Sequence, residues 1–476
     1  MNRIKLVIYI GTPLFLITII AFFLISNANV HSLPDADNPV LVADAEISEN
    51  NLYIVEPEAK PDFPEKHIDV LIYTCLGTRQ TEQLLYILEK ANELRILPDY
   101  DIRTRLIYFD ESNILDSEEL NDYDVLIVPG GYVGMYQYFW DRDDIRDWVY
   151  NGGGYIGICA GEILAIDGVV EDSIFGPYRG LEIVPNVRRI GPEWVGARNV
   201  KMTELGTEKL GFSGDQRFLV WNGSVFYYEN KPEQGEKIFA YYDDNSLDLE
   251  WELHGIDRWL ESYNKNAAII GDYFGDGRLI LSGPHPEISS GNNIYQKYRM
   301  VANMIKWVYK DDSNVTYVIG REDVLEEYTN SENLNAMSVY IEKDTYISNL
   351  NIYLHNAHGN ASLGIYSDNE DGLPGELLTQ VSFSAFSNGG WCTKPLNEKL
   401  FVEDNTKIWL AWISENKDTL YLTDYPSNNG DVGDTVVVST ELEWNKLESG
   451  LLPSLFPADL IPENRIASIF ALGSIK

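Results

Sequence analysis

Cys159 sits at the centre of Gly157-Ile158-Cys159-Ala160-Gly161, and His285-Pro286-Glu287 follows more than a hundred residues later. A thiol becomes a thiolate at neutral pH only with help. It needs an imidazole beside it, and the imidazole needs a carboxylate to fix its tautomer and stabilise its charged form. All three groups are present, so their types and order predict a nucleophile, Cys159, a base, His285, and an orienter for that base, Glu287.

The surrounding residues say how these groups are positioned. Tyr155 to Ile158 is a short apolar strand approached through Gly152-Gly153-Gly154, and Glu162 to Ile166 begins a helix. A nucleophile on such a strand-to-helix turn is exposed and strained, and flanking glycines relieve the crowding there. The N-terminal end of the helix, with its free N–H groups and positive dipole end, favours the thiolate. Leu279 to Ser282 is a second apolar strand with His285 and Glu287 just past its end. Residues two apart in extended chain project to one side, and Pro286 holds His285 extended. A third apolar strand, Val125 to Val128, runs into Pro129-Gly130-Gly131. Free N–H groups of that turn, with that of Ala160, can form an oxyanion hole, which would select acyl chemistry.

The order of a PGG loop, the G-x-C-x-G elbow and H-P-E resembles the class I glutamine amidotransferase-like superfamily. The stretches YIGICAGE and VPGGY are most similar to its biotin-protein ligase N-terminal-like branch, over about residues 66 to 310. The resemblance implies a flavodoxin-like α/β fold, with Cys159 as nucleophile, His285 as general base, Glu287 as its orienter, and Gly131 and Ala160 as backbone oxyanion donors. It implies no biotin chemistry, since nothing like a ligase catalytic domain follows. No synthetase domain that would receive ammonia is visible in the chain either.

Other reactive types have plainer readings. Cys75 closes the first strand and reads as core or pocket lining. Glu162 either touches the pocket or, the favoured reading, is an acid in a helix's first turn. His67 and His254 have no matching partners in the sequence. His355 and His358 lack a third ligand, and Asp368, Asn369 and Asp371 belong to a turn that needs no ion, so no metal and no cofactor are expected. With Cys75, Cys159 and Cys392 an odd thiol must remain, and no structural disulfide is expected.

Location is read from the first residues. Arg3 and Lys5 precede an apolar run from Leu6 to Ile25, long enough for a transmembrane helix, with the positive flank inside and the bulk of the chain extracellular. A cleaved signal peptide is the competing reading. Its apolar region is normally shorter, and Ser26-Asn27-Ala28-Asn29 is a poor cleavage site, which favours a retained anchor. Sequons at Asn222, Asn314 and Asn360 agree with export. The formal net charge of -38 over 476 residues disfavours nucleic acid and anionic membrane surfaces as partners. It resembles the acidity of salt-adapted proteins, and with the anchor it fits an archaeal cell surface.

The chain divides into an anchor (1–29), an acidic stalk (30–65), the amidotransferase-like domain (66–310), a linker (311–335) and a β-sandwich domain (336–476). In the second of the two folded domains short alternating strands are separated by turn clusters. In the first, strands alternate with helices, predicting a mostly parallel sheet flanked by helices, with ligands beyond the carboxyl ends of its strands. Tyr178 to Asp243 reads as an antiparallel extension or pocket wall, with Trp221, Tyr227 and Tyr228 as cleft or core. LGIYSDNEDGLPGELL and WLAW look like jelly-roll modules of prokaryotic surface proteins. The leading expectation is a membrane-anchored Cys-His-Glu amidase acting on a small amide or peptide-like substrate. The alternative is a non-catalytic surface protein whose sandwich contacts glycans or neighbouring proteins.

Overall fold

A computed structural model describes residues 66–475, with breaks at 172–176, 192–193, 213, 229–237, 244–265, 290–293, 312–315, 323–324, 326, 331, 388–389, 425–435 and 464–465. The expected anchor (1–29) and stalk (30–65), His254 and Asn314 lie outside the described residues. Among the described residues no helix is long and apolar enough to cross a membrane. The described residues form one compact unit.

The first half is an α/β layer structure. In chain order its first elements are β1 (Lys66–Cys75), α1 (Thr81–Glu93), β2 (Tyr100–Phe109), α2 (Ser117–Leu120), β3 (Val125–Val128), α3 (Val133–Tyr136), α4 (Arg142–Tyr150), β4 (Gly154–Ile158) and α5 (Ala160–Ile166). Then come β5 (Val169–Val170), β6 (Tyr178–Arg179), β7 (Val187–Ile190), β8 (Val195–Met202), α6 (Glu204–Leu210), β9 (Asp215–Trp221), β10 (Val225–Tyr228) and β11 (Ile238–Tyr242). The half closes with β12 (Ala267–Phe274), β13 (Gly277–Ser282), β14 (His285–Ser289) and α7 (Ile294–Val308).

Alternation along the strands explains the layering. Val70 and Ile72 of β1 pack with Leu84 and Leu88 of α1 and Val301 and Ile305 of α7 on one face. Leu71 and Tyr73 pack with Ile145 and Val149 of α4 and Leu164 of α5 on the other. Fully burying one such aliphatic side chain contributes about 1.5–3 kcal/mol. The main path of the sheet runs β14-β9-β8-β11-β12-β13-β4-β3-β1-β2. β2, β1, β3, β4 and β13 are parallel to one another.

Beyond β13 the pairing is antiparallel. The sheet is therefore mixed, which corrects the expectation of a mostly parallel one. The strands after α5 pair with their neighbours in antiparallel register, as the β12–β13 hairpin does through its short turn. The Asp276-Gly277 turn joins β12 to β13, with Phe274 opposite Gly277.

The second half is two packed antiparallel sheets. The first holds strands Thr345–His355, Gly390–Val402, Leu420–Asp424 and Ile469–Ile475. The other holds Asn333–Ile341, Ala357–Asp368, Pro374–Ser387, Thr406–Ser414 and Val437–Glu443. Ile347, Leu350 and Ile352 from one meet Met337, Leu363 and Leu410 from the other in a shared core.

The segment 311–335, expected as a linker, is not merely a connector. Thr316–Gly320 pairs with Ile469–Ile475, and Glu327–Asn330 pairs with Leu420–Asp424, so both are strands of the first of these sheets. Val318 and Ile319 give the acidic run enough apolar surface to join the sheet. Phe470 and Leu472 extend into the core of the first half, packed with Trp391 and Val318. Asn349 Nδ2 donates to the Leu94 carbonyl, and Lys399 pairs with Asp99 at 2.5 Å. The two halves thus share buried contacts.

Candidate active site

β3, β4 and β13 are adjacent and parallel, with Val128 opposite Gly157 and Ser282 opposite Ile158. Their carboxyl ends therefore lie side by side. The Pro129-Gly130-Gly131 turn leaves the first, Cys159 the second, and the segment leading to His285 the third. Three motifs remote in sequence meet because three apolar strands pair in this order.

Cys159 has φ 52 and ψ -106, a backbone conformation disfavoured for an L side chain. Its own N–H donates to Ser282 O at 2.9 Å, and its carbonyl accepts from Glu162 N and Ile163 N in the first turn of α5. The tie to Ser282 fastens the elbow to the strand that delivers His285. The two elbow glycines are there because the backbones touch. A Cβ on Gly161 would lie 2.0 Å from Val128 O, and one on Gly157 would lie 2.7 Å from the Gly161 carbonyl.

His285 and Glu287 are both buried, and His285 Nδ1–H donates to Glu287 Oε1 at 2.7 Å. Among the described residues the second imidazole nitrogen, Nε2, is buried without a hydrogen-bond partner, as is Glu287 Oε2. Burial alone would push the imidazole toward its neutral form. The Glu287 carboxylate, followed by the Cys159 sulfur, outweighs that and holds the His285 pKa well above 6.5. The sulfur is thus close enough to influence His285, while its hydrogen bond goes to Trp221 O at 3.5 Å.

Gly130 is a site residue that the sequence reading did not single out. A Cβ there would stand 2.9 Å from His285 Cε1, 3.3 Å from Cys159 Cβ and 3.7 Å from Sγ. Any side chain at 130 would fill the space in front of the pair. Gly131, at φ +152, is pressed against Gly77 O. The Tyr136 hydroxyl donates to Gly130 O at 2.8 Å, fixing the turn from below. Among the described residues the N–H groups of Gly131 and Ala160 donate no hydrogen bond, whereas that of Cys159 is already used.

Glu162 departs from its favoured reading. It is fully buried, and Oε1 accepts from Ser224 N at 3.1 Å. Burial pushes its carboxyl up to about 8, against a lowering pull from Arg189. The signal was present in the sequence: α5 is apolar all round apart from this residue, and a helix with no polar face has no solvent side on which to place an acid.

The remaining candidates fall elsewhere. Cys75 is buried, and burial pushes its thiol up to about 11; the same holds for Cys392. All three cysteines are free. His67 lies on β1 and pairs with Asp69 at 3.3 Å. Asp368 accepts from Trp409 Nε1 and pairs with Lys407, while Asn369 Oδ1 accepts from Asp371 N and Leu373 N. Among the described residues no three His, Cys, Asp or Glu side chains converge as a metal site. Trp221 is 42% exposed beside Cys159, whereas Tyr228 is core.

No protein-family model matches the chain, and no curated protein matches it in sequence. Among solved structures it is similar to a glutamine amidotransferase from Thermotoga maritima, at 13% identity and TM-score 0.31, over 52% of this chain and 99% of that one. It is similar to a ThuA-like protein from Bacteroides uniformis at 13% identity and TM-score 0.34, over 53% and 95%. A beta-galactosidase from Rahnella sp. R3 aligns at 13% identity and TM-score 0.33, over 69% and 41%.

Proposed function

We propose that the protein is a cysteine-dependent amidase of the class I glutamine amidotransferase-like kind. Cys159 thiolate attacks an amide carbonyl, forming the C–S bond as the carbonyl oxygen takes the negative charge. The N–H groups of Ala160 and Gly131 receive that oxyanion. His285, held by Glu287, gives a proton to the leaving amine as the C–N bond breaks. Water, deprotonated by the same imidazole, then attacks the thioester, releasing the acid and the thiol. The observation that carries this reading is the strained Cys159 elbow beside the buried His285–Glu287 pair.

The test is turnover on a panel of small primary amides and short peptides, comparing wild type with Cys159→Ala and His285→Ala. Each variant should lose about 100-fold or more. Wild-type rates in Cys159→Ala would contradict the assignment. A second reading, a binding protein that retains the pocket, draws on the hydrogen bond from the thiol to Trp221 O. We also infer a membrane-anchored protein with its folded domains outside the cell. That inference rests on the Leu6 to Ile25 run and its basic flank, and membrane-impermeant labelling of intact cells tests it.

A further inference from the structure

The segment Trp221–Ser224 touches Cys159 and the turn that leads into His285. Its Trp221 carbonyl accepts from the Cys159 thiol at 3.5 Å. Its Gly223 is pressed against the turn that leads into His285: a Cβ at 223 would lie 1.9 Å from Gly283 O. The Ser224 peptide is gripped from two sides. Glu162 Oε1 accepts its N–H at 3.1 Å, and the Tyr242 hydroxyl donates to its carbonyl at 3.3 Å. Nothing in the catalytic sequence described above uses Glu162, yet it is a fully buried acid three residues from the nucleophile.

A carbonyl oxygen can accept from a thiol but repels a thiolate, so the Trp221 contact favours the protonated form of Cys159. We propose that Glu162 is a positioning residue for Cys159. By clamping the Trp221–Ser224 turn, it holds the thiol on the Trp221 carbonyl and restrains its release as thiolate toward His285. The inference deepens the nucleophile reading and rests on it. The groups that influence Glu162 come from several elements. Arg189 (β7) favours its ionised form, and Asp167, after α5, opposes it. Tyr155 (β4) and Tyr242 (β11) lie close by, their pKa values raised first by burial and then by the Glu162 charge. Burial dominates, and at neutral pH the side chain is a neutral acid whose carbonyl oxygen is the acceptor.

That chemistry sets the test, the rate of Cys159 labelling by iodoacetamide between pH 5 and 9 in the full chain, read by peptide mass spectrometry. Glu162→Ala removes the acceptor and should be labelled roughly fivefold faster at pH 7, the worth of one ordinary hydrogen bond. Glu162→Gln keeps an uncharged carbonyl oxygen in the same place and should follow wild type. Glu162→Asp withdraws the acceptor by one methylene while keeping the acid. It should behave like Glu162→Ala, and it serves where the alanine variant does not fold. Wild-type rates and pH profile in both Glu162→Ala and Glu162→Asp would overturn the proposal, as would Glu162→Gln labelling as fast as the shortened side chains. His285→Ala is the separate control: an unchanged profile there defeats the nucleophile reading, while the comparison among position-162 variants still reports on the clamp.

Discussion

At the residue scale, the proposed function turns on two buried carboxyl groups in different surroundings. Glu287 sits beside an imidazole and raises its pKa, outweighing the desolvation that burial imposes. Replacing it by Gln should lower the His285 pKa and slow Cys159 labelling at pH 7 by about tenfold. An unchanged rate would remove Glu287 from the site. Glu162 has no such cation in hydrogen-bond contact, and its carboxyl stands at about 8 against an ordinary 4.5. Between those values the folded state holds a proton that the unfolded chain has lost, so stability falls as pH rises through that window. By pH 7 the loss is on the order of 3 kcal/mol. Glu162→Gln carries no such proton, so its urea-unfolding free energy should decline less than the wild type's from pH 5 to 8. Parallel decline in the two proteins would contradict the burial argument.

At the scale of elements, the site exists because β3, β4 and β13 pair side by side and each ends in a motif. Gly161→Ala drives a Cβ to 2.0 Å from Val128 O, a backbone atom that cannot swing aside. It should cost about 3 kcal/mol or more and lower the melting temperature. Gly191→Ala, where the nearest neighbour is Arg189 Nη1 at 3.5 Å, should leave it unchanged; equal melting of both variants would show that the elbow does not need its glycine. Much of this was legible in the sequence. The apolar runs at Ile68, Val125, Tyr155 and Leu279 are strands, and His285 and Glu287 project together because they are two apart in extended chain. Glu162 was misread because its partner, Ser224, lies 62 residues away and local helix rules cannot see it. The strands at 316–320 and 327–330 were missed because their partners lie beyond residue 419, and an acidic run read locally looks like a connector.

At the scale of the whole molecule, the sandwich is tied to the α/β half by Phe470 and Leu472, both fully buried in the first half's core. Contacts of that kind couple unfolding, so calorimetry should show one transition for the folded part, and Phe470→Ala should lower it by about 3 kcal/mol or more. Two separate transitions, with only the later one shifted by the variant, would show that the halves unfold independently. The net charge of -38 makes self-repulsion a general load on the fold that salt screens. The melting temperature should therefore rise between dilute buffer and molar salt, and an unchanged value would remove the salt-adaptation reading.

The central claim is that Cys159 is a nucleophile activated by His285. It is tested most directly by the pH dependence of Cys159 alkylation in wild type and His285→Ala. Alkylation should persist in the wild type at a lower pH than in His285→Ala. Coincident profiles in the two proteins would contradict it.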